Sequence, residues 1–164
     1  MSTRVRTAAV EDLAEILRIV NLAYRVEDFF IDGDRITPAD LRERFDRPEA
    51  EFLVVDGATP GPLAAAVHFE SRADHGWFGL LAVDPVAQGA GHARALIHAM
   101  EARCRERGLE RLVIEVVDLR EELPAFYARL GFVDVARKPF LDVHKLKRPA
   151  ELVVMQKWVG GRKS

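Results

Sequence analysis

Disulfides are excluded first. The 164-residue chain has a single cysteine, Cys104, so no internal cross-link can form and a reducing compartment fits. Long apolar runs are also missing. None approaches the roughly 20 residues that a membrane span needs. The N-terminal Met1-Ser2-Thr3-Arg4-Val5-Arg6 has no apolar signal segment behind it. A cytoplasmic protein with no membrane attachment is the expectation. Charge of one sign is lacking too: 24 basic against 26 acidic side chains leave a formal charge of −2. Nucleic-acid binding usually shows as a strongly basic face, so none is expected here. Two phosphate motifs are absent, the Gly-Lys-Ser/Thr of a P-loop and the Gly-x-Gly-x-x-Gly fingerprint. No metal is assigned.

What is present suits one soluble globular domain over residues 1–164. Hydrophobic residues make up 49% and charged residues 30%, enough for a real core and too apolar for disorder. No repeat, low-complexity tract or linker divides the chain. Thr3 to Ala8 alternates as a short strand. Leu13, Ile16, Leu17, Val20 and Ala23/Tyr24 then recur at helical spacing. Gly33 ends any helix in the acidic and aromatic stretch after Tyr24. Thr37 as N-cap, Pro38 at the first position and Asp40 as capping-box acid begin a second helix. Three strands, Phe52–Asp56, Leu63–Glu70 and Trp77–Val83, are joined by turns at 57–62 and 71–76, an antiparallel meander.

The period then changes. Ala93, Leu96, Ile97, Met100 and Cys104 line one face of a helix, with Arg94, His98, Glu101 and Arg105 on the other. Cys104 is therefore a core residue. Gly108 ends that helix, and Arg111–Val117 is a strand rich in Val and Ile. Strand, helix and strand from Trp77 to Val117 should place two strands parallel. Leu123–Leu130 is a short helix stopped by Gly131. Phe132–Arg137 is a sixth strand, Lys138–Pro149 a loop with a basic cluster, and Leu152–Trp158 a last strand before a polar tail.

The stretch from Leu80 to Ala93 connects an apolar strand to a helix through Gln88-Gly89-Ala90-Gly91. Glycines let the backbone turn sharply and let a ligand approach its N–H groups. A helix starting near Gly91 turns its unpaired N–H groups and positive dipole end toward that turn. Such a place suits a phosphate; an ordinary strand-to-helix connection has the same local composition.

Two motifs and the element order together resemble the GCN5-related N-acetyltransferase (GNAT) superfamily. Gln88-Gly89-Ala90-Gly91-His92-Ala93 fits its Gln/Arg-x-x-Gly-x-Gly/Ala signature after the fourth strand. Ala125-Phe126-Tyr127-Ala128-Arg129-Leu130-Gly131-Phe132 fits its aromatic-Tyr pair before Leu-Gly-Phe. Val5-Arg6-Thr7-Ala8 with Glu11-Asp12-Leu13 looks like its opening, and Val154-Met155-Gln156-Lys157 like its closing strand. The resemblance implies a mixed α/β sheet of about seven strands, mostly antiparallel, splayed between strands 4 and 5, with about four helices. It implies acetyl-CoA in the splay: the backbone of Leu81, Ala82 and Val83 against the pantetheine arm, and N–H groups of Gln88, Gly89, Ala90, Gly91, His92 and Ala93 on the pyrophosphate.

The implied reaction moves an acetyl group directly to a primary amine of a small-molecule or amino-acid-like acceptor. A protein or peptide N-terminus is the alternative within the class. A non-catalytic acyl-CoA sensor on the same fold, or an ATP-binding turn, are alternatives outside it. By resemblance Tyr127 is the general acid, since a neutral phenol can donate to the leaving thiolate. Two departures stand out. Arg120 occupies the place of a common cofactor-holding Asn, and Trp77 that of a glutamate base. Glu115 and Glu70 are then the base candidates, ahead of His68; His75 and His92 are expected to be exposed loop or helix-start residues. The substrate wall falls on Tyr24, Glu27, Asp28, Phe29 and Phe30, where acids beside aromatics suit a cationic amine. Family domains are often homodimers.

Overall fold

A seven-stranded sheet divides the molecule into two cores. In the computed structural model the described residues are 4–57, 62–140 and 143–160. The expected strand residue Thr3, most of the turn at 57–62, part of the basic loop and the tail beyond Gly160 lie outside them. The strands are β1 (Val5–Thr7), β2 (Ala50–Asp56), β3 (Leu63–Ser71), β4 (His75–Val83), β5 (Arg111–Val117), β6 (Val133–Pro139) and β7 (Glu151–Trp158). Their order across the sheet is β1-β2-β3-β4-β5-β7-β6. Only β4 and β5 pair in parallel; every other neighbour is antiparallel. The helices are α1 (Leu13–Ala23), α2 (Pro38–Phe45), α3 (His92–Glu106) and α4 (Glu122–Arg129). Single 3-10 turns precede and follow α1, at Val10–Asp12 and Tyr24–Glu27.

Local chemistry explains the ends. Thr37 accepts a hydrogen bond from the Asp40 N–H at 3.1 Å, so α2 starts where a threonine cap and a first-position proline put it. The meander and the parallel pair follow the pattern in the sequence. Boundaries differ by one to three residues. β6 runs on through Pro139, because Lys138 and Pro139 still pair with Leu152 and Glu151. Pro139 is tolerated because β6 is an edge strand.

One core lies under α3 and α4, built on Leu53, Val67, Phe69, Phe78, Leu96, Ile97, Met100, Ile114 and Phe132. The other lies under α1 and α2, built on Ile16, Ile19, Val20, Leu41, Phe52, Val54 and Leu80. Cys104 is fully buried in the first, as expected, and burial pushes its thiol up to about 11. α3 packs closely there: a Cβ on Gly76 would lie 2.6 Å from the Cys104 Sγ and 2.7 Å from the Phe69 ring.

One expectation about α3 is corrected. Glu101 is not on the solvated face but 4% exposed, because Lys157 of β7 reaches it at 2.9 Å and Arg105 flanks it. Such a pair spans 56 residues, and helical periodicity cannot announce it.

Candidate active site

The site begins where the sheet stops being a sheet. β4 and β5 pair from His75↔Arg111 to Phe78↔Ile114 and no further, although β4 continues to Val83 and β5 to Val117. β4 changes course at that point. Between the pairs Ala66↔Ala82 and His68↔Gly79, one residue of β3, Val67, opposes two of β4, Leu80 and Leu81, a β-bulge. Leu80 within it has φ +53°, a left-handed conformation that costs a non-glycine residue about 1–2 kcal/mol. Burial of its side chain, 2% exposed in the α1–α2 core, offsets that cost. The bulge leaves the β4 edge from Gly79 to Val83 without a β5 partner. Leu81, Ala82 and Val83 sit on that edge, a backbone row able to pair with an extended ligand.

At the mouth of the split the chain turns into α3. Asp84 accepts from the Val86 N–H at 3.1 Å and is gripped by Arg18 of α1 at 2.9 Å, so α1 fixes the approach to the turn. Gly89 and Gly91 have φ +88° and +81°, which only glycine adopts without strain. A Cβ on either would meet nothing within 4 Å, so the space above the turn is open. The first N–H groups of the 15-residue α3, from His92 onward, have no intrahelical acceptor. An open cradle of N–H groups at a helix N-terminus fits a pyrophosphate. His92 is half-buried rather than exposed, and its Nδ1 is covered with no partner among the described residues. His75 is also half-buried, and pairs with Asp74 at 2.7 Å.

Tyr127 comes to the split from α4. It is 4% exposed, its ring edge-on to Phe78, Phe126 and Phe132 at 5.1–6.0 Å. Burial raises its pKa, helped by the nearby Tyr24 phenol, so the hydroxyl is held protonated. Tyr24 packs against the opposite core.

The stretch expected to wall the acceptor meets the loop before β7. Ile31 bridges to Leu146, the Lys147 N–H donates to the Phe30 carbonyl at 2.7 Å, and the Asp32 N–H to that of Lys145 at 2.9 Å. Phe30 is fully buried and supports this wall from behind; Phe29 is exposed, with Arg148 over its ring at 5.3 Å. Glu27 is 6% exposed. Burial raises its pKa against the pull of Arg35 and Arg120. Arg120, the residue in the Asn position, holds Glu27 at 3.1 Å and Glu122 at 2.8 Å.

The two base candidates are less well suited. Glu115 pairs with Lys138 at 2.8 Å, across β7. Glu70 is buried but held by Arg47 at 2.7 Å and Arg72 at 3.1 Å. Burial opposes its ionisation, yet the Arg47 bond, His68 and Arg72 carry its pKa below the usual range. A carboxylate fixed by cations is a weak proton acceptor. Glu27, assigned to the wall, is also held by an arginine, but there burial outweighs the pull of the cations and its pKa is raised where that of Glu70 is lowered; a buried acid 93 residues from its arginine carries no sequence signal as a base.

A sheet split at its parallel pair, a glycine turn opening a helix at the mouth and a phenol beside the split are the features that the GNAT resemblance led one to expect. Residues 13–132 match the pattern of the acetyltransferase (GNAT) family, and the chain belongs to that family. Two mycothiol acetyltransferases are similar: that of Cellulomonas flavigena is 35% identical over 114 residues, 62% of this chain and 33% of its own length. That of Nocardia farcinica is 32% identical over 142 residues, 79% and 46% respectively. The chain therefore spans less than half the length of either relative. YncA of Salmonella typhimurium, an acetyltransferase solved with acetyl-CoA, superposes with a TM-score of 0.74 at 21% identity, covering 100% of this chain and 98% of that one. Among the described residues no helix is long and apolar enough to cross a membrane, and no group of His, Cys, Asp and Glu forms a metal site.

Proposed function

We propose that this chain is an acetyl-CoA-dependent N-acetyltransferase acting on the primary amine of a small-molecule or amino-acid-like acceptor. The observation that carries the reading is the unpaired β4 edge, opened by the bulge at Leu80 and running into the Gln88–Ala93 turn. Leu81, Ala82 and Val83 pair with the pantetheine arm, and the N–H groups of Gln88 to Ala93 hold the pyrophosphate. Bound there, acetyl-CoA supplies an acyl group activated as a thioester.

The protein's own work is on protons and position. An ammonium with pKa near 10.4 is almost wholly charged at neutral pH and must lose a proton before it attacks. Glu27 takes that proton, its basicity raised by burial. As the C–N bond forms and the C–S bond breaks, Tyr127 donates its proton to the departing thiolate, and its phenolate takes the second proton that the acylated nitrogen sheds.

The test is a panel of amines and short peptides with acetyl-CoA, read as free thiol, for wild type and Tyr127→Phe. Phenylalanine keeps the ring contacts with Phe78 and Phe132, so acetyl-CoA binding should hold while turnover falls by about 10²-fold. Unchanged thiol release in the variant would remove Tyr127 from the mechanism. Acetyl-CoA binding with no turnover anywhere in the panel would make the chain a sensor.

A further inference from the structure

The acceptor side of the split holds a half-buried cation with no carboxylate in contact. Every half-buried arginine among the described residues has a carboxylate within 4 Å except Arg44 of α2. Its one hydrogen bond is from Nη1 to the His68 Nδ1, at 3.3 Å. A guanidinium can only donate, so Nδ1 accepts and the proton sits on Nε2: His68 is neutral and lends Arg44 no negative charge. Burial lowers its pKa first of all, Arg35 and Arg47 repel it, and Asp40 and Glu70 offset part of this without touching it. Arg47 is satisfied by Glu43 and Glu70. Arg35 is not; it lies over the Tyr24 ring, 5.1 Å from its centre, and has no ion pair among the described residues.

A second unmet need lies beside it. The His68 ring stands edge-on to Trp77 at 5.4 Å. The Trp77 indole covers Gly79 at the start of the bulge, its outer carbon 2.7 Å from where a Cβ would be. Its Nε1–H is buried with no partner among the described residues. A half-buried cation with no carboxylate in contact and a buried donor without an acceptor are both costly, and a carboxylate is the group that answers both needs. A guanidinium is the side chain best matched to it.

We propose that Arg44, with the Trp77 indole N–H and Arg35 beside it, is the anchor for a carboxylate carried by the acceptor. The acceptor is then an amine that also bears an acid, its ammonium toward Glu27 and its carboxylate toward Arg44. The assignment rests on the acetyl-transfer reading for the amine, but the anchor itself is a binding site and can be measured without turnover.

The experiment pairs L-amino acids with their carboxamides, which keep the amine and lose the charge. The carboxamide's amine is the less basic, so intrinsic reactivity runs against the expected result. Thiol release gives kcat/KM, and calorimetry with CoA present gives binding, for wild type, Arg44→Met and Arg44→Lys. Wild type should prefer acids over amides by at least about tenfold. That ratio should fall toward one in Arg44→Met and partly return in Arg44→Lys. Equal use of acids and amides by wild type, or a ratio that Arg44→Met leaves unchanged, overturns the anchor. If nothing turns over, calorimetry decides: acid binding that needs Arg44 sustains the anchor while acetyl transfer fails, and equal binding of acid and amide overturns it. Should Arg44→Met not fold, Arg44→Lys and Arg35→Met carry the same comparison.

Discussion

His68 and Glu70 show how one position on a strand can decide a residue's chemistry. They share the α2-facing side of β3, and His68 Nε2 lies 2.9 Å from the nearer Glu70 oxygen, off the line that a hydrogen bond needs. His68 is stacked on Phe52 at 4.8 Å and fully buried, and burial pulls its pKa from 6.5 down to about 4. Folded protein thus binds fewer protons at His68 than unfolded chain between pH 6.5 and about 4. By linkage stability rises with pH across that window, so it is present above 6.5 and lost as pH falls toward 4. Glu70, with its pKa lowered, adds a loss of the same sign at the acid end. Urea melts from pH 4 to 7 should show this slope in wild type and a flatter one in His68→Gln. An unchanged slope in the variant would mean that His68 is not the titrating group. From sequence, His68 and Glu70 looked like base candidates because alternation put them on one face. Their arginines come from α2 (Arg44), from the turn after it (Arg47) and from the turn after β3 (Arg72), and strand alternation reveals only the last as a near neighbour.

At the scale of an element, β4, its bulge, the glycine turn and α3 form one continuous unit, the one proposed to hold the cofactor. Most of it was legible. The change from period two to 3.6, the two glycines and the Gln88 signature mark strand, turn and helix. The bulge was not, because Leu80 takes φ +53° without the glycine that would advertise it. The wrapping of Trp77 over Gly79 was hidden for a different reason, since it depends on χ angles rather than on pattern. Gly91 offers a clean test. With φ +81° and open space around its Cβ position, alanine there meets no clash in the free protein and costs only backbone strain. Gly91→Ala should destabilise the fold by about 1 kcal/mol. Its larger effect should be on the cofactor, because a methyl group enters the space that the pyrophosphate uses. Calorimetry should show CoA binding weakened by about tenfold or more, with acceptor KM little changed. Loss of stability with full CoA affinity would place the phosphate elsewhere.

Across the whole molecule, the split makes the sheet two half-sheets joined by four register pairs, His75↔Arg111 to Phe78↔Ile114. The strand order and both motifs were readable because each depends on residues near in sequence. The ties that close the molecule across the split were not. Glu27 and Arg120 are 93 residues apart, and Phe30 and Lys147 meet through backbone groups. Arg120 is the departure from the family pattern at the place of the cofactor-holding Asn. In the structure it stands at the start of the α4 turn and clamps Glu27 on the opposite half, with side-chain exposures of 17% and 8%. Removing the arginine strands a buried carboxylate, whereas removing both groups does not. Arg120→Met should therefore cost about 2 kcal/mol or more, Glu27→Gln less, and the double variant clearly less than their sum. The coupling should be about 1–3 kcal/mol in urea melts. Activity should follow the same geometry. Arg120→Met lets the Tyr24–Glu27 turn drift from the split, so acceptor KM rises while CoA, held on β4 and α3, still binds. Additive losses within about 0.3 kcal/mol, or a variant that loses CoA and acceptor alike, would show that Arg120 serves the cofactor as the usual Asn does, and not the acceptor wall.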